Sequence, residues 1–222
     1  MTHQQAELGW TDRQVPVSVR FDDPYFSLQD GLAETGHVFL AGNTLPARFA
    51  PGFAIAELGF GTGLNMLATW AAWEQSGQTG PLRYTSFEAY PMAVQDITKA
   101  LEAFPSLAPW RDRFLAHWRG SGPCDLDTLH LNVITGDARK TLPLWEERAD
   151  AWFLDGFSPA KNPELWGQTL MSDVAARTRE GGTLATYTAA GFVRRGLEAA
   201  GFAVTRIKGF GHKRHMTRAI LA

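Results

Sequence analysis

The chain has 222 residues, of which 45% are hydrophobic and 20% charged, so it can bury a sizeable core and is not a disordered tail or fibre. A net charge of −2 argues against wholesale coating by nucleic acid, and the lone Cys124 rules out an intramolecular disulfide or a cysteine-built zinc site. No metal site is expected. The polar start "MTHQQAELGWTDRQ" lacks the apolar run of a signal peptide, and no stretch approaches the ~18 apolar residues of a membrane span, so a cytoplasmic location with no membrane partner is expected.

This length fits one decorated α/β domain over residues 1–222. Residues 1–50 precede the regular pattern and read as an N-terminal extension. "FAIAELGF" (53–60) is a short apolar run ending in glycines, and "LNMLATWAAW" repeats its apolar residues at helical spacing, giving strand, glycine turn and helix. "RYTSFEA" (83–89) reads as the next strand and "PMAVQDITKALEAF" (91–104) as a helix with proline in its first turn. The Trp- and Pro-bearing stretch 105–127 falls outside the alternation and reads as a helical insertion. "LHLNVITGDA" is strand-like, "RKTLPLWEER" a short helix, and "AWFLDGF" (151–157) a run suited to burial on both faces of a parallel sheet. A helix over 163–179, the strand "GGTLATYT", the helix "GFVRRGLEAAG" and the strands "FAVTRIKGF" and "HMTRAILA" complete the pattern. The expected fold is α/β and Rossmann-like: a mainly parallel seven-stranded sheet, closed by an antiparallel C-terminal hairpin.

The glycines of "ELGFGTGLN" (57–65) lie where such a sheet binds cofactors, beside a helix N-terminus. Gly59, Gly61 and Gly63 form G-x-G-x-G, whereas the dinucleotide fingerprint places its third glycine where Leu64 stands, so NAD is disfavoured. No phosphate-loop motif occurs. Bare backbone for a sulfonium ligand, with Glu57 placed to pair with a cationic amino-acid end, resembles the pattern of S-adenosylmethionine (SAM) methyltransferases. A purely structural tight turn remains open. Glu88 ends the second strand, where a carboxylate can accept ribose hydroxyls, and Asp137 follows the third, where it could hold the exocyclic amine of adenine. Each alone is more often a cap or a surface acid. "FLDGFSPAKNPELW" sets Asp155 at the end of the fourth strand, followed by Phe157 and Pro159, and resembles the D/N-P-P-Y/F loop of amine methyltransferases. A carboxylate there can accept the hydrogens of an amine while an aromatic stacks on a flat base. The alternative is an aspartate that caps the following helix.

Charge is unevenly spread. Seven bases (Arg194, Arg195, Arg206, Lys208, Lys213, Arg214, Arg218) face the single acid Glu198 between 194 and 218, while the first 60 residues hold seven acids against three bases. Such asymmetry suggests a polyanion at one end, or else a solvated face.

"RFDDPYFS", "GLAETGHVFLAGN", "ELGFGTGLN", "WFLDGFSPAKNPELW", "GGTLATYTAAGFVRRGLEAAGF" and "KGFGHKRHM" together resemble the methyltransferase domain of the MnmC family of bacterial tRNA wobble-uridine enzymes and its stand-alone MnmD-type relatives. The resemblance runs from about residue 10 onward and implies a class I SAM-dependent fold. It also implies N-methylation of the 5-aminomethyl group of 2-thiouridine at the wobble position, with the tRNA anticodon loop as partner. It assigns SAM to Glu57, Gly59, Gly61, Gly63, Asn65, Glu88 and Asp137, with Phe60, Thr62 and Ala138 beside them, and the amine to Asp155. Tyr25 and Phe26 would lie over the cofactor or the flipped base, with Phe157 and Pro159 near the base and Lys208, Lys213 and Arg214 at the RNA. Bifunctional members continue into a flavin-dependent oxidoreductase domain, and nothing follows Ala222 here, so no FAD is expected on this chain. A DNA or protein amine methyltransferase, a non-catalytic RNA-binding module and an aminopropyl transferase remain as alternatives.

Overall fold

The computed structural model describes residues 5–27 and 29–222; the remaining part of the expected N-terminal extension lies outside the described residues. The extension is more built than its irregular sequence suggests. Strands β1 (Leu8–Trp10), β2 (Pro16–Ser18) and β3 (Asp23–Pro24) form a small antiparallel sheet. The short helix α1 (Gly31–Thr35) follows, its N-terminus capped by the Asp30 carboxylate, which accepts the Ala33 N–H at 2.9 Å. It runs on through a π-helical turn (Gly36–Leu40) and a 3₁₀ turn (Ala41–Asn43).

The main domain then alternates as β4 (Ala54–Leu58), α2 (Leu64–Gln75), β5 (Leu82–Glu88), α3 (Val94–Leu101), α4 (Ala108–His117), β6 (Gly122–Leu126), β7 (Leu129–Thr135), α5 (Ala138–Thr141), β8 (Ala149–Leu154), α6 (Gln168–Ala176), β9 (Thr178–Thr186), α7 (Gly191–Ala199), β10 (Phe202–Lys208) and β11 (His215–Leu221). Its sheet order is β10-β11-β9-β8-β4-β5-β7-β6. The five central strands β9, β8, β4, β5 and β7 are parallel, β11 pairs antiparallel with both β9 and β10, and β6 pairs antiparallel with β7.

The sheet thus has eight strands rather than the expected seven, because residues 122–126 of the insertion add an edge strand and only 108–117 are α-helical. Two helix boundaries also differ. Pro91 lies outside α3, and the 163–179 helix is split at Gly167 into a 3₁₀ turn (Pro163–Trp166) and α6. The C-terminal hairpin and its antiparallel sense are as read from the sequence.

Alternate residues of the central strands feed two cores. Ile55, Ala151 and Phe153 pack with α2, α3 and α4, whereas Ala56, Leu58, Trp152 and Leu154 pack on the opposite face with α6 and α7. Ala151 through Leu154 are all fully buried, so β8 is the two-faced strand its apolar run implied. That arrangement brings the carboxyl ends of β4, β5 and β8 together at one rim.

Candidate active site

A cavity of about 740 Å³ opens at this rim, within the ~300–1,000 Å³ usual for small-molecule sites. Asp155, Glu88, Asp137, Ala138, Gly59, Phe60, Gly61, Thr62 and Asn65 line its floor, with Tyr25, Phe26, Phe157 and Lys213 around them. Glu57, Gly63, Pro159, Lys208 and Arg214 are not on its wall.

The glycines of the turn serve different ends. Gly59 (φ +92°) crosses so close to β8 that a Cβ there would stand 2.5 Å from the Asp155 carbonyl oxygen, so its bareness serves strand packing rather than a ligand. Gly61 (φ +53°) faces the cavity, where a Cβ would meet the Tyr25 ring at 3.1 Å. Glu88 braces the turn from β5: its carboxylate accepts the Gly61 N–H at 3.0 Å and the Tyr90 N–H at 2.8 Å. Burial pushes this carboxyl up from its ordinary value, with those amides opposing the shift. Asp137 caps α5 through the Arg139 N–H at 3.0 Å and is ion-paired to the Arg139 guanidinium at 2.6 Å, which holds its carboxyl low. The expected contact of Asp137 with an adenine amine would therefore share this acid with Arg139. The donor set fits SAM, with a glycine turn after β4, an acid for hydroxyls on the neighbouring β5 and an acid for an amine beyond β7.

Glu57 corrects the sequence reading. It is completely buried under α2 instead of facing the cavity, and it accepts Asn65 Nδ2–H at 3.0 Å and the Ser86 hydroxyl at 2.8 Å. Its reach toward a ligand goes through Asn65, whose Nδ2 also donates to Asp155 at 2.6 Å and whose Oδ1 accepts the Thr35 hydroxyl at 2.8 Å. Burial pushes Glu57 up to about 8 and Asp155 up to about 7. Asp155 is thus neither a helix cap nor a surface acid. It is a carboxyl poised to exchange a proton near neutrality at the cavity floor.

The N-terminal sheet closes one side of the cavity. Phe21 stacks on Phe157 at 4.8 Å and Tyr25 meets the same ring edge-on at 5.1 Å, while Phe26, also on the wall, packs edge-on against Phe104 at 5.0 Å. Asp23 accepts the Ser158 N–H at 2.8 Å, and Lys161 bonds to the carbonyl and, at 3.1 Å, the carboxylate of Asp22. These contacts fasten the extension to the loop after β8.

Three acids surround Tyr187, at the end of β9: burial foremost, then the charges of Asp155, Asp23 and Glu34, raises its phenol. Its hydroxyl donates to the Gly156 carbonyl at 2.7 Å. Lys213 stands at the cavity, apart from Lys208 and Arg214. It turns into the cavity, pairing with Glu34 at 2.7 Å and standing 4.4 Å over the Tyr187 ring, whereas Lys208 and Arg214 lie exposed on the hairpin. Among the described residues Arg194, Arg195, Arg206, Lys208, Arg214 and Arg218 form no ion pair. Burial, then the charges of Arg206, Arg214 and Arg194, lowers the His215 imidazole, which places these cations in one neighbourhood.

Glu34, Tyr187 and Lys161 went unnoticed in the sequence. Tyr187 had a usable signal, since it directly follows a parallel strand at the rim where ligands bind. Glu34 had none, because it reaches the site from a helix 179 positions before its partner Lys213. No group of metal-ligating side chains occurs among the described residues, and none of their helices is long and apolar enough to cross a membrane.

A family model described as S-adenosyl-L-methionine-dependent methyltransferase matches residues 102–222. Among solved structures, MnmC2 from Aquifex aeolicus superposes with a TM-score of 0.75 at 27% identity, covering 97% of this chain and 70% of that one. Spermidine synthase from Thermotoga maritima (TM-score 0.58, 9% identity, 97% and 71% coverage) shares the fold. So does precorrin-6y C5,15-methyltransferase from Geobacter metallireducens (0.54, 13%, 96% and 98%).

Proposed function

The chain belongs to this S-adenosyl-L-methionine-dependent methyltransferase family, and from that premise we propose that it N-methylates a primary amine carried by a tRNA base, the 5-aminomethyl group of wobble 2-thiouridine. One observation carries the reading: Asp155, raised to about 7, sits at the cavity floor beside the aromatic wall of Phe157 and Tyr25. An aminomethyl group arrives mostly as an ammonium and must lose a proton before its lone pair can attack. A carboxylate that titrates near neutrality can take that proton, and the flat wall can stack the base that carries the amine. SAM would be held by the turn 59–63, Glu88 and the Asp137–Ala138 segment, and would supply a methyl already activated by its sulfonium. The remaining work of the protein is alignment of the amine and exclusion of water.

The cations of α7 and the hairpin that form no ion pair among the described residues support a polyanionic substrate, because phosphate contacts add affinity without reading bases. The wobble base would leave its stack to reach Asp155, which is easier from a loop than from a duplex. The 27% identity to MnmC2 over nearly the whole chain supports the same choice. A cytoplasmic location and a separate flavin-dependent oxidoreductase acting on the same nucleoside belong to this proposal. A polyamine substrate is disfavoured, since it would call for several free acids and Asp23, one of the acids around Tyr187, already has Lys161 as counter-ion. The test is to incubate the protein with methyl-labelled SAM and tRNA lacking the final methyl, then digest to nucleosides. Label in 5-methylaminomethyl-2-thiouridine is expected. Label in another nucleoside, or none while added DNA or protein is labelled, would overturn it.

A further inference from the structure

The cavity contains a seat shaped for an ammonium, and a side chain of the chain itself occupies it. Lys213 projects from the turn between β10 and β11, places Nζ 2.7 Å from Glu34 Oε1, and holds it 4.4 Å from the centroid of Tyr187. Glu34 is mostly covered, its side chain 14% exposed, whereas Lys213 is 47% exposed. The acid is thus held in the wall, and the lysine is the partner with solvent to move into. Tyr187 is oriented by its hydroxyl bond to the Gly156 carbonyl, which turns the ring face toward the cation. Asp155 is close enough for the charges of both Glu34 and Lys213 to act on it. A largely covered acid, an oriented aromatic face and a second acid that titrates near neutrality are together the parts of a primary-ammonium site.

We propose that Glu34 and Tyr187 form the recognition site for the substrate's ammonium, and that Lys213 is its resident occupant, which the substrate displaces. The inference rests on the reading that the substrate is an amine, but not on that amine belonging to tRNA. The exchange is charge for charge: one ammonium leaves Glu34 as another arrives, so binding itself does not leave the acid without a counter-ion, the state that would be costly. The displaced lysine has a four-carbon stem and an exposed turn to swing into, where its charge can meet solvent or a phosphate. The seat also discriminates: a neutral ligand of the same shape cannot replace Lys213 without stranding Glu34. The arriving ammonium then lies beside Asp155, which accepts one of its protons and leaves the neutral amine.

Benzylamine is a suitable probe, being an aminomethyl group on a flat ring, with benzyl alcohol as its neutral counterpart. Their binding to the protein saturated with S-adenosylhomocysteine is measured by calorimetry for wild type, Lys213→Met, Lys213→Arg and Glu34→Gln. Benzylamine is expected to bind the Lys213→Met variant about two- to fivefold more tightly than wild type, the factor a half-exposed cation–aromatic contact would account for. Lys213→Arg should bind like wild type, and Glu34→Gln at least about tenfold more weakly. Benzyl alcohol should bind wild type and Lys213→Arg weakly and should not share the loss of benzylamine binding in Glu34→Gln, where no charge is stranded. Unchanged or weaker benzylamine binding in Lys213→Met would overturn the displacement, and so would no measurable binding to any of them. Unchanged binding in Glu34→Gln would overturn the seat. Absence of tRNA methylation alongside the expected benzylamine series would refute the RNA substrate alone.

Discussion

Asp155 gains its reactivity from surroundings rather than from residue type. An aspartate in water is ionised far below neutrality, and here burial beneath the 59–63 turn raises it to about 7. The rate is therefore expected to rise with pH through an acid limb near 7, as Asp155 becomes able to take the amine's proton. Asp155→Ala should lose about 10²–10⁴-fold in turnover, with little change in SAM affinity. Steady-state rates across pH, with calorimetry for SAM, check both; loss of SAM binding with a near-normal rate at saturating cofactor would make Asp155 a cofactor ligand. At Gly61 the expected change is opposite in kind. Gly61→Val forces a branched side chain into left-handed backbone and onto the Tyr25 ring, so SAM binding should be abolished while the fold, read by circular dichroism, persists. The other two glycines were legible in the sequence as a turn but not by role, because Gly59 answers to the Asp155 backbone, a neighbour 96 positions later.

Whether an element could be read from the sequence depended on whether its own burial decided its form. β8 was legible because both of its faces are covered and its side chains must all be apolar. "GPCDL" was not, since Pro123 and Asp125 are exposed on an edge strand; it is extended because β7 offers an open edge one tight turn away. The helical stretch from Gly31 to Asn43 was hidden by Gly31, Gly36 and Gly42, and it forms because Val38 and Phe39 are buried against the sheet. The C-terminal hairpin was legible as strands, yet the inward turn of Lys213 depends on Glu34 and Tyr187, which local pattern cannot contain. That division sets an expectation for the hairpin. Lys208→Glu with Arg214→Glu should weaken tRNA binding and flatten its salt dependence by roughly 0.7–0.9 for each phosphate no longer neutralised, while SAM affinity stays intact. Filter binding from low to moderate salt would show it, and an unchanged slope would make these cations merely solvated.

For the molecule as a whole, the buried acids impose a cost that varies with pH. Glu57 and Asp155 keep protons up to about 8 and about 7 when folded, whereas unfolded carboxylates release theirs near 4. Between those values the unfolded chain binds fewer protons, so stability should fall as pH rises from about 4.5 to 8. Asp155→Asn should flatten that decline and raise the melting temperature at pH 8, as is common when a strained functional group is removed. Calorimetric melts across this range test it, and a wild-type stability that climbs toward pH 8 would contradict it. The order of strands carries another consequence. β11 lies between β9 and β10, and it delivers Met216 to one core and Ala219 to the other. During synthesis, therefore, β9 must wait with an open edge and β10 without a neighbour until residue 221 clears the ribosome. The final slot of the sheet is filled last, and until then the nascent chain presents a template for any extended segment that meets it.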